Sequence, residues 1–433
     1  MEGVVLRTSE RKQFKECQWK WERNYIDRLQ PKHDSGTALW FGTGIHLALE
    51  KYYVPGTERG EDPVVTWERY VSETRGDTNY VNTYHDGDST FAVEALELGS
   101  AMLRTYVEHY GSEEWMEVIA TEYDFQIGIK YDNYTHSGVE KDKAAYVGTM
   151  DLVYRDLRDN KIYVMDHKTA RSLGSSNTQY LPLDDQAGAY YAVAVTALRR
   201  KGLIGDNERV SGIVYNYLVK ALPDTRPVNP EGYATNKPKK EHYLEALKKA
   251  DVPTTVTAYS NPIKKEVVDA LNAAGVEFEL STPISDLKLL ADQRGVEVKG
   301  KAKERAMTIP ELEEAAEKAG ITVYGEVSSS QPNQRFDRVV VRKNPKQQNR
   351  QIRRMSEDLT AMSLVRNNLL AATKNPTRDC TFCPFQELCE IDEQNEDYSD
   401  MVEQLYTTWE PYATHEEALN AVKIGRASCR ERV

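Results

Sequence analysis

A chain of 433 residues, 40% hydrophobic and 29% charged, is too long for one small domain and suits one large domain with an insertion or satellite. It has no run of about 18 apolar residues, and its start, MEGVVLRTSERKQFKECQWK, lacks a signal peptide's apolar core. A membrane-spanning chain is therefore excluded, and a cytoplasmic location with reduced thiols is expected. The formal net charge of −12 argues mildly against nucleic acid as a partner, unless basic residues are gathered in one place.

In chain order, Ser9 reads as the N-cap of a helix running to about Leu29, with Phe14, Cys17, Trp21 and Tyr25 at helical spacing. A second helix follows the glycines of FGTGIHLALEKYY, and a third spans Phe91 to Tyr110. The period then changes. VIATEYDFQIGI, YVGTMDLVYRD and KIYVMDHKTA read as three strands, the last two joined by a short turn at Arg158 to Asn160. A long helix, DDQAGAYYAVAVTALRRKG, and a further strand, GIVYNYLVK, follow.

From Leu247 to Val327 the chain becomes helical and charged, with three similar units: VVDALNAAGVEF, LKLLADQRGVEV and LEEAAEKAGITV. Each is a short helix stopped by Gly275, Gly295 or Gly320, which predicts an inserted small domain. Between Gln334 and Met355, Arg335, Arg338, Arg342, Lys343, Lys346, Arg350, Arg353 and Arg354 face a single acid, Asp337. Such a run is either a solvated strand and helix face or a phosphate-binding surface. The last ten residues, Ile424 to Val433, read as a translated sequencing adapter, which sets Cys429 aside.

The chemistry is concentrated in KIYVMDHKTA. On a strand Asp166 and Lys168 share one face and His167 takes the other. A tight hairpin brings Asp151 of the preceding strand opposite Asp166 or Lys168, according to register. Two carboxylates and an ammonium then converge. Such a set suits phosphodiester hydrolysis: oxygen ligands hold Mg²⁺ or Mn²⁺, which acidifies water and polarises the phosphate, while the lysine offsets charge in the transition state. A lone D-x-K is more often a surface salt bridge, so other residues must contribute. His46, on the early helix, offers a nitrogen ligand, and Glu122, on the strand before the hairpin, another carboxylate; taken alone, both are structural more often than not. Gln186 and Tyr190 stand four apart on one helix face, either packed or in reach of DNA. Cys380, Cys383 and Cys389 in CTFCPFQELC, with Cys17 far upstream, have the spacing of ligands to an iron–sulfur cluster or to zinc, the alternative being unligated buried thiols.

The order His46, Glu122, Gly148-x-x-Asp151, Asp166-x-Lys168, Gln186-x-x-x-Tyr190 resembles the RecB-like nucleases of the PD-(D/E)XK superfamily, especially the CRISPR-associated exonucleases and their bacteriophage relatives. The resemblance implies an α/β fold of restriction-endonuclease type, a mixed central sheet flanked by helices. It implies metal ligation by His46, Asp151, Asp166 and the main-chain carbonyl of His167, with Lys168 as catalytic lysine and Glu122 as a less regular acidic position. It also implies a 4Fe–4S staple of AddB type at Cys17, Cys380, Cys383 and Cys389, with structural Zn²⁺ as the alternative. On this reading residues 1–246 are the nuclease core, 247–327 a helical insertion, 328–395 a basic and cluster-binding part of the core, and 396–423 a tail. Arg342, Lys343, Arg353 and Arg354 are the residues expected to track DNA phosphates.

The expected activity is exonucleolytic cleavage of DNA with free ends, in phage recombination, repair or replication and beside a protein partner of that process. The alternatives are an endonuclease with the same site and a non-catalytic DNA-binding scaffold. Gly295-Val-Glu-Val-Lys-Gly300-Lys301 nearly spells a P-loop, but Ala302 stands where Ser or Thr would hold Mg²⁺, so no use of ATP is expected.

Overall fold

The computed structural model describes residues 4–32, 37–74, 90–174 and 178–412; the adapter-like tail lies outside them. Two compact units separate: Met1–Pro223 with Asn333–Val433, and Asp224–Pro332. The insertion thus begins ahead of the composition change at Leu247. No helix among the described residues is long and apolar enough to cross a membrane.

The first unit opens with β1 (Val5–Leu6), α1 (Thr8–Glu16) and α2 (Gln18–Trp21), which runs on into a π-helical turn, Glu22–Ile26. The single helix expected here is broken. Arg7, not Ser9, stands at the N-cap, and Cys17 is extended at φ −161° and ψ 113°. Contacts from far along the chain replace the lost helical bonds: Asn375 donates to the Glu16 carbonyl, and the Trp19 N–H reaches the Thr373 carbonyl. After β2 (Leu29–Pro31) come α3 (Thr37–Tyr52), α4 (Pro63–Thr74) and α5 (Thr90–Tyr110). Then follow β3 (Met116–Thr135), β4 (Gly138–Asp156), β5 (Lys161–Ala170), α6 (Asp185–Arg200) and β6 (Val210–Val219).

The second unit holds α7 (Lys240–Lys249), β7 (Thr255–Tyr259), α8 (Lys264–Ala273), α9 (Ile284–Gln293), β8 (Ala302–Ala306) and α10 (Ile309–Lys318). Each helix closes in the same way. The N–H of Val252, Val276, Val296 or Ile321 returns to the carbonyl of Leu247, Leu271, Ala291 or Ala316, with the preceding residue left-handed. There are four repeats, not three; the first has Asp251 where the others have glycine. They pair into two small cores, α7 with α10 around Leu247 and Leu312, and α8 with α9 around Leu271 and Leu287. The P-loop resemblance dissolves here: Gly295 ends α9, and Gly300 and Lys301 lead into a strand rather than a helix.

The chain returns to the first unit through β9 (Phe336–Val341), α11 (Pro345–Arg366), α12 (Gln386–Glu393), α13 (Ser399–Leu405) and β10 (Tyr406–Thr408), which pairs with β2. The main sheet runs β1-β4-β5-β6-β9, with β3 along the other edge of β4. It is mixed: β1 with β4 and β5 with β6 are parallel, the rest antiparallel. Alternation along β5 divides its side chains, Ile162 and Val164 packing with α6 and α11, Tyr163 and Met165 with α3, α4 and α5. The result is a sheet covered by helices on both faces, as expected.

One irregularity positions the site. β1 pairs with β4 at Ala145 and Tyr146, and β5 pairs with the same edge only from Leu152 onward. Among the described residues Val147 to Asp151 have no strand neighbour on that edge. The apolar alternation also changes phase here, for Tyr146 and Met150 pack in one helix layer and Leu152 and Tyr154 in the other. Asp151 stands at this break.

Candidate active site

The β4–β5 hairpin turns through Leu157–Asn160, with Asn160 left-handed at φ 56° and Asp156 and Asp159 accepting N–H bonds from Arg158 and Lys161. Its register, Leu152 opposite Met165, sets Asp151 beside Asp166 rather than Lys168. Past that pair the strands separate, and the His167 N–H, released from the ladder, donates to the Asp151 carboxylate at 2.7 Å. On β3, Glu122 lies between the residues paired with Met150 and Leu152 and takes a left-handed backbone, φ 42°. A non-glycine residue held there costs on the order of 1–3 kcal/mol. Three adjacent strands thus each give one acid: Glu122, Asp151 and Asp166.

His46, on α3, brings Nδ1 to 3.3 Å from Asp151 Oδ2. Ligand atoms of His46, Glu122 and Asp151 all lie within 4.8 Å of one another. Asp166 is 2% exposed; its Oδ1 accepts from the Gln186 amide at 2.7 Å and its Oδ2 sits 2.6 Å from the Lys168 ammonium. Gln186 is therefore engaged in holding Asp166. Tyr190, one turn on, is buried with its ring edge-on to Phe125. Gly148 of the G-x-x-D pattern is explained by that pair: a Cβ there would come within 2.9 Å of the Phe125 ring and 3.4 Å of the Tyr190 hydroxyl. Of these, His46, Asp151, Asp166, Lys168, Gln186 and Tyr190 line an open cavity of about 840 Å³.

The cluster is short of positive charge. Burial, then the neighbouring Asp151, Glu50, Asp124 and Asp166, push Glu122 up to about 8. Burial and Asp166 raise Asp151 to about 6, against the pull of His46 and Lys168. Burial works against the Lys168 ammonium, but Asp166 and Asp151 outweigh it and hold its pKa above the usual value. Carboxylates of this kind, with one imidazole, form the oxygen-rich donor set that hard divalent cations take.

Behind β5 lies a second polar set that the sequence did not announce. The His167 ring is buried and stacked on Tyr53 at 6.1 Å, and its Nδ1 lies 2.8 Å from the Asn216 amide. Asn216 donates to the Tyr106 hydroxyl and accepts from Arg338, whose guanidinium also meets Tyr53, Tyr106 and both carboxylate oxygens of Glu113. Arg338, read in the sequence as one of a basic run, is thus turned inward and neutralised. Its only signal was position: on a strand that alternates into the sheet, it falls on an inner face. Burial, followed by the nearby cations, lowers the His167 pKa well below its ordinary value, so the ring is neutral.

The remaining predicted residues divide. Arg342, Arg353 and Arg354 are exposed, Arg353 paired with Glu357 one turn on, while Lys343 donates to the Pro182 carbonyl near the cavity. The four cysteines come together from both ends of the chain and line one cavity of about 350 Å³ beside Trp19 and Lys374. The Thr377 N–H points at Cys380 Sγ, 3.3 Å away, and burial pushes the Cys383 and Cys389 thiols up.

A helix-covered mixed sheet whose central hairpin offers carboxylates and a lysine to an open cleft defines a class of phosphodiester-cleaving enzymes. Residues 8–390 match the family model of the PD-(D/E)XK nuclease superfamily, and the chain belongs to that superfamily. Comparison with curated proteins gives no match.

Proposed function

We propose that the protein is a RecB-like DNA exonuclease that uses Mg²⁺ or Mn²⁺. The observation that carries this is the convergence of His46, Asp151, Asp166 and Lys168 on one open cavity, with a Glu122 carboxylate oxygen within 4.8 Å of ligand atoms of His46 and Asp151. His46, Asp151, Asp166 and the His167 carbonyl would hold the ion, and the spacing of Glu122 adds it to that set. Bound there, a divalent cation supplies acidified water and polarises the scissile phosphate. Lys168 stays protonated against Asp166 and offsets charge that builds on the phosphate oxygens. Gln186 fixes the angle of Asp166, and the His167 N–H fixes Asp151. Arg342, Lys343, Arg353 and Arg354 serve as phosphate contacts along the substrate.

The cysteine quartet is read as a 4Fe–4S site, with structural zinc as the alternative. The cavity that all four cysteines line, and the Thr377 N–H directed at Cys380 Sγ, support that reading. Protein purified without oxygen should be brown and carry roughly four irons per chain; a colourless protein with one zinc decides for the alternative. The proposed setting is the cytoplasm of a phage-infected cell, in recombination, repair or replication, on DNA with free ends, beside a protein of that process and without ATP.

The test is divalent-metal-dependent degradation of end-labelled linear DNA beside covalently closed circles, by wild type and Lys168→Ala. Loss of linear substrate only, and only by wild type, is the expected result. Cutting of circles would make the enzyme an endonuclease with the same site. Binding with no cleavage by wild type would leave a DNA-binding scaffold.

A further inference from the structure

Two large apolar side chains stand in water at the cavity of the carboxylates. Tyr180 is 52% exposed and Leu183 is 82% exposed; among the described large hydrophobics only Phe382 is more open. Both line the cavity that holds Asp151, Asp166 and Lys168.

The segment that carries them is firmly built. Leu181, between them, is 1% exposed in the core. Residues Leu181–Leu183 form a 3-10 turn in which the Leu183 N–H returns to the Tyr180 carbonyl at 2.7 Å. The Pro182 carbonyl takes the Lys343 ammonium, and Asp184 caps α6 while accepting from the Tyr215 hydroxyl. The Tyr217 phenol lies within hydrogen-bonding reach of Tyr180. Tyr180 and Leu183 are therefore presented by a fixed backbone. Held at the rim of a charged cleft, these two side chains offer apolar contact to whatever the cleft binds.

The rest of the cavity says what that is. Carboxylates suited to a cation, the Lys168 ammonium, and Arg7 and Lys12 of the α1 end all line it, which fits a phosphodiester and its neighbours rather than an apolar peptide or lipid. The apolar part of a nucleic acid is its base. A base inside a duplex is already stacked on both faces, so it offers nothing to an aromatic ring; an unstacked base does.

We propose that Tyr180 and Leu183 form a platform on which an unpaired nucleobase stacks beside the scissile phosphate, so that the site takes single-stranded or frayed DNA in preference to a closed duplex. This rests on the nuclease reading above. Tyr180 supplies the ring, Leu183 the edge of the platform, and the two are specificity residues with no part in the bond-breaking step.

The experiment uses the full chain with Tyr180→Ala, Tyr180→Phe and Leu183→Ser, each measured for kcat and KM on a single-stranded oligonucleotide and on a blunt duplex. Binding of a single strand carrying 2-aminopurine is followed by fluorescence in the Lys168→Ala background. Tyr180→Ala should raise KM for the single strand roughly ten-fold or more, lose its advantage over duplex and lose the 2-aminopurine quench. Tyr180→Phe should keep all three, and Leu183→Ser should show a smaller loss. Tyr180→Ala with wild-type KM, preference and quench overturns the platform, as does a Tyr180→Phe variant as impaired as Tyr180→Ala. Should wild type cleave no DNA, the nuclease reading fails by itself; the quench and its sensitivity to Tyr180→Ala still decide the platform.

Discussion

Strand β5 separates two polar clusters that differ in one respect. On the cavity side, Glu122, Asp151 and Asp166 outnumber Lys168, and His46, Asp151, Asp166 and Lys168 line an open cavity. On the other side Glu113 meets Arg338 one for one, and Tyr53, Tyr106, Asn216 and the neutral His167 close the remaining hydrogen bonds. Each cluster depends on an acid in left-handed backbone, Glu122 at φ 42° and Glu113 at φ 50°. The contrast teaches that buried charge by itself does not mark a site. Balanced charge is scaffold, while charge left unbalanced beside a cavity is a place for a ligand.

The largest expected effect breaks the cavity side alone. Asp166→Asn should lower cleavage by roughly 10²-fold or more while Tm changes little, because relief of the repulsion with Asp151 offsets the lost ion pair to Lys168; a loss of fold together with activity would erase the contrast. The opposite signature belongs to the balanced side. Arg338→Met strands the buried Glu113 carboxylate and should cost on the order of 3–5 kcal/mol, read as a fall in denaturant midpoint. An unchanged midpoint would mean that this network does not support the sheet.

The acidity of the cavity gives a sharper test. Glu122 at about 8 and Asp151 at about 6 sit above their ordinary 4.5 and 3.8, so both bind protons more tightly folded than unfolded. Their contribution is complete below the unfolded values and is lost as pH rises through about 6 and then about 8. Metal-free protein should lose Tm across that window, and saturating Mg²⁺ should return more of it at the alkaline end. Thermal melts with and without Mg²⁺ check this; a metal-free Tm that climbs through the window refutes the charge imbalance. The smallest effect is expected at the chain ends. Cys17→Ala should lower Tm by only a few degrees, since the β2–β10 pairing and the Arg28–Glu410 ion pair also tie the termini. A collapse of the fold would make the cysteine centre the main clamp.

Local chemistry was legible from the chain alone. The period-2 run of KIYVMDHKTA places Asp166 and Lys168 on one face, and the turn at Arg158 to Asn160 makes the hairpin, because side-chain alternation and turn conformation are properties of neighbouring residues. The glycine stops of the inserted repeats are visible for the same reason, and the first repeat was missed because Asp251 takes the left-handed position without glycine's signature.

Tertiary structure decided the rest. The register that sets Asp151 against Asp166 depends on where β1 leaves the β4 edge and β5 joins it. The break at Cys17 depends on Thr373 and Asn375, and Arg338 turns inward only because Glu113 and Asn216 meet it there. Sequence by itself determined which groups are available and which face of its own strand each takes. Only the packing of distant segments decided which charges find partners, and so which cluster is left to bind something else.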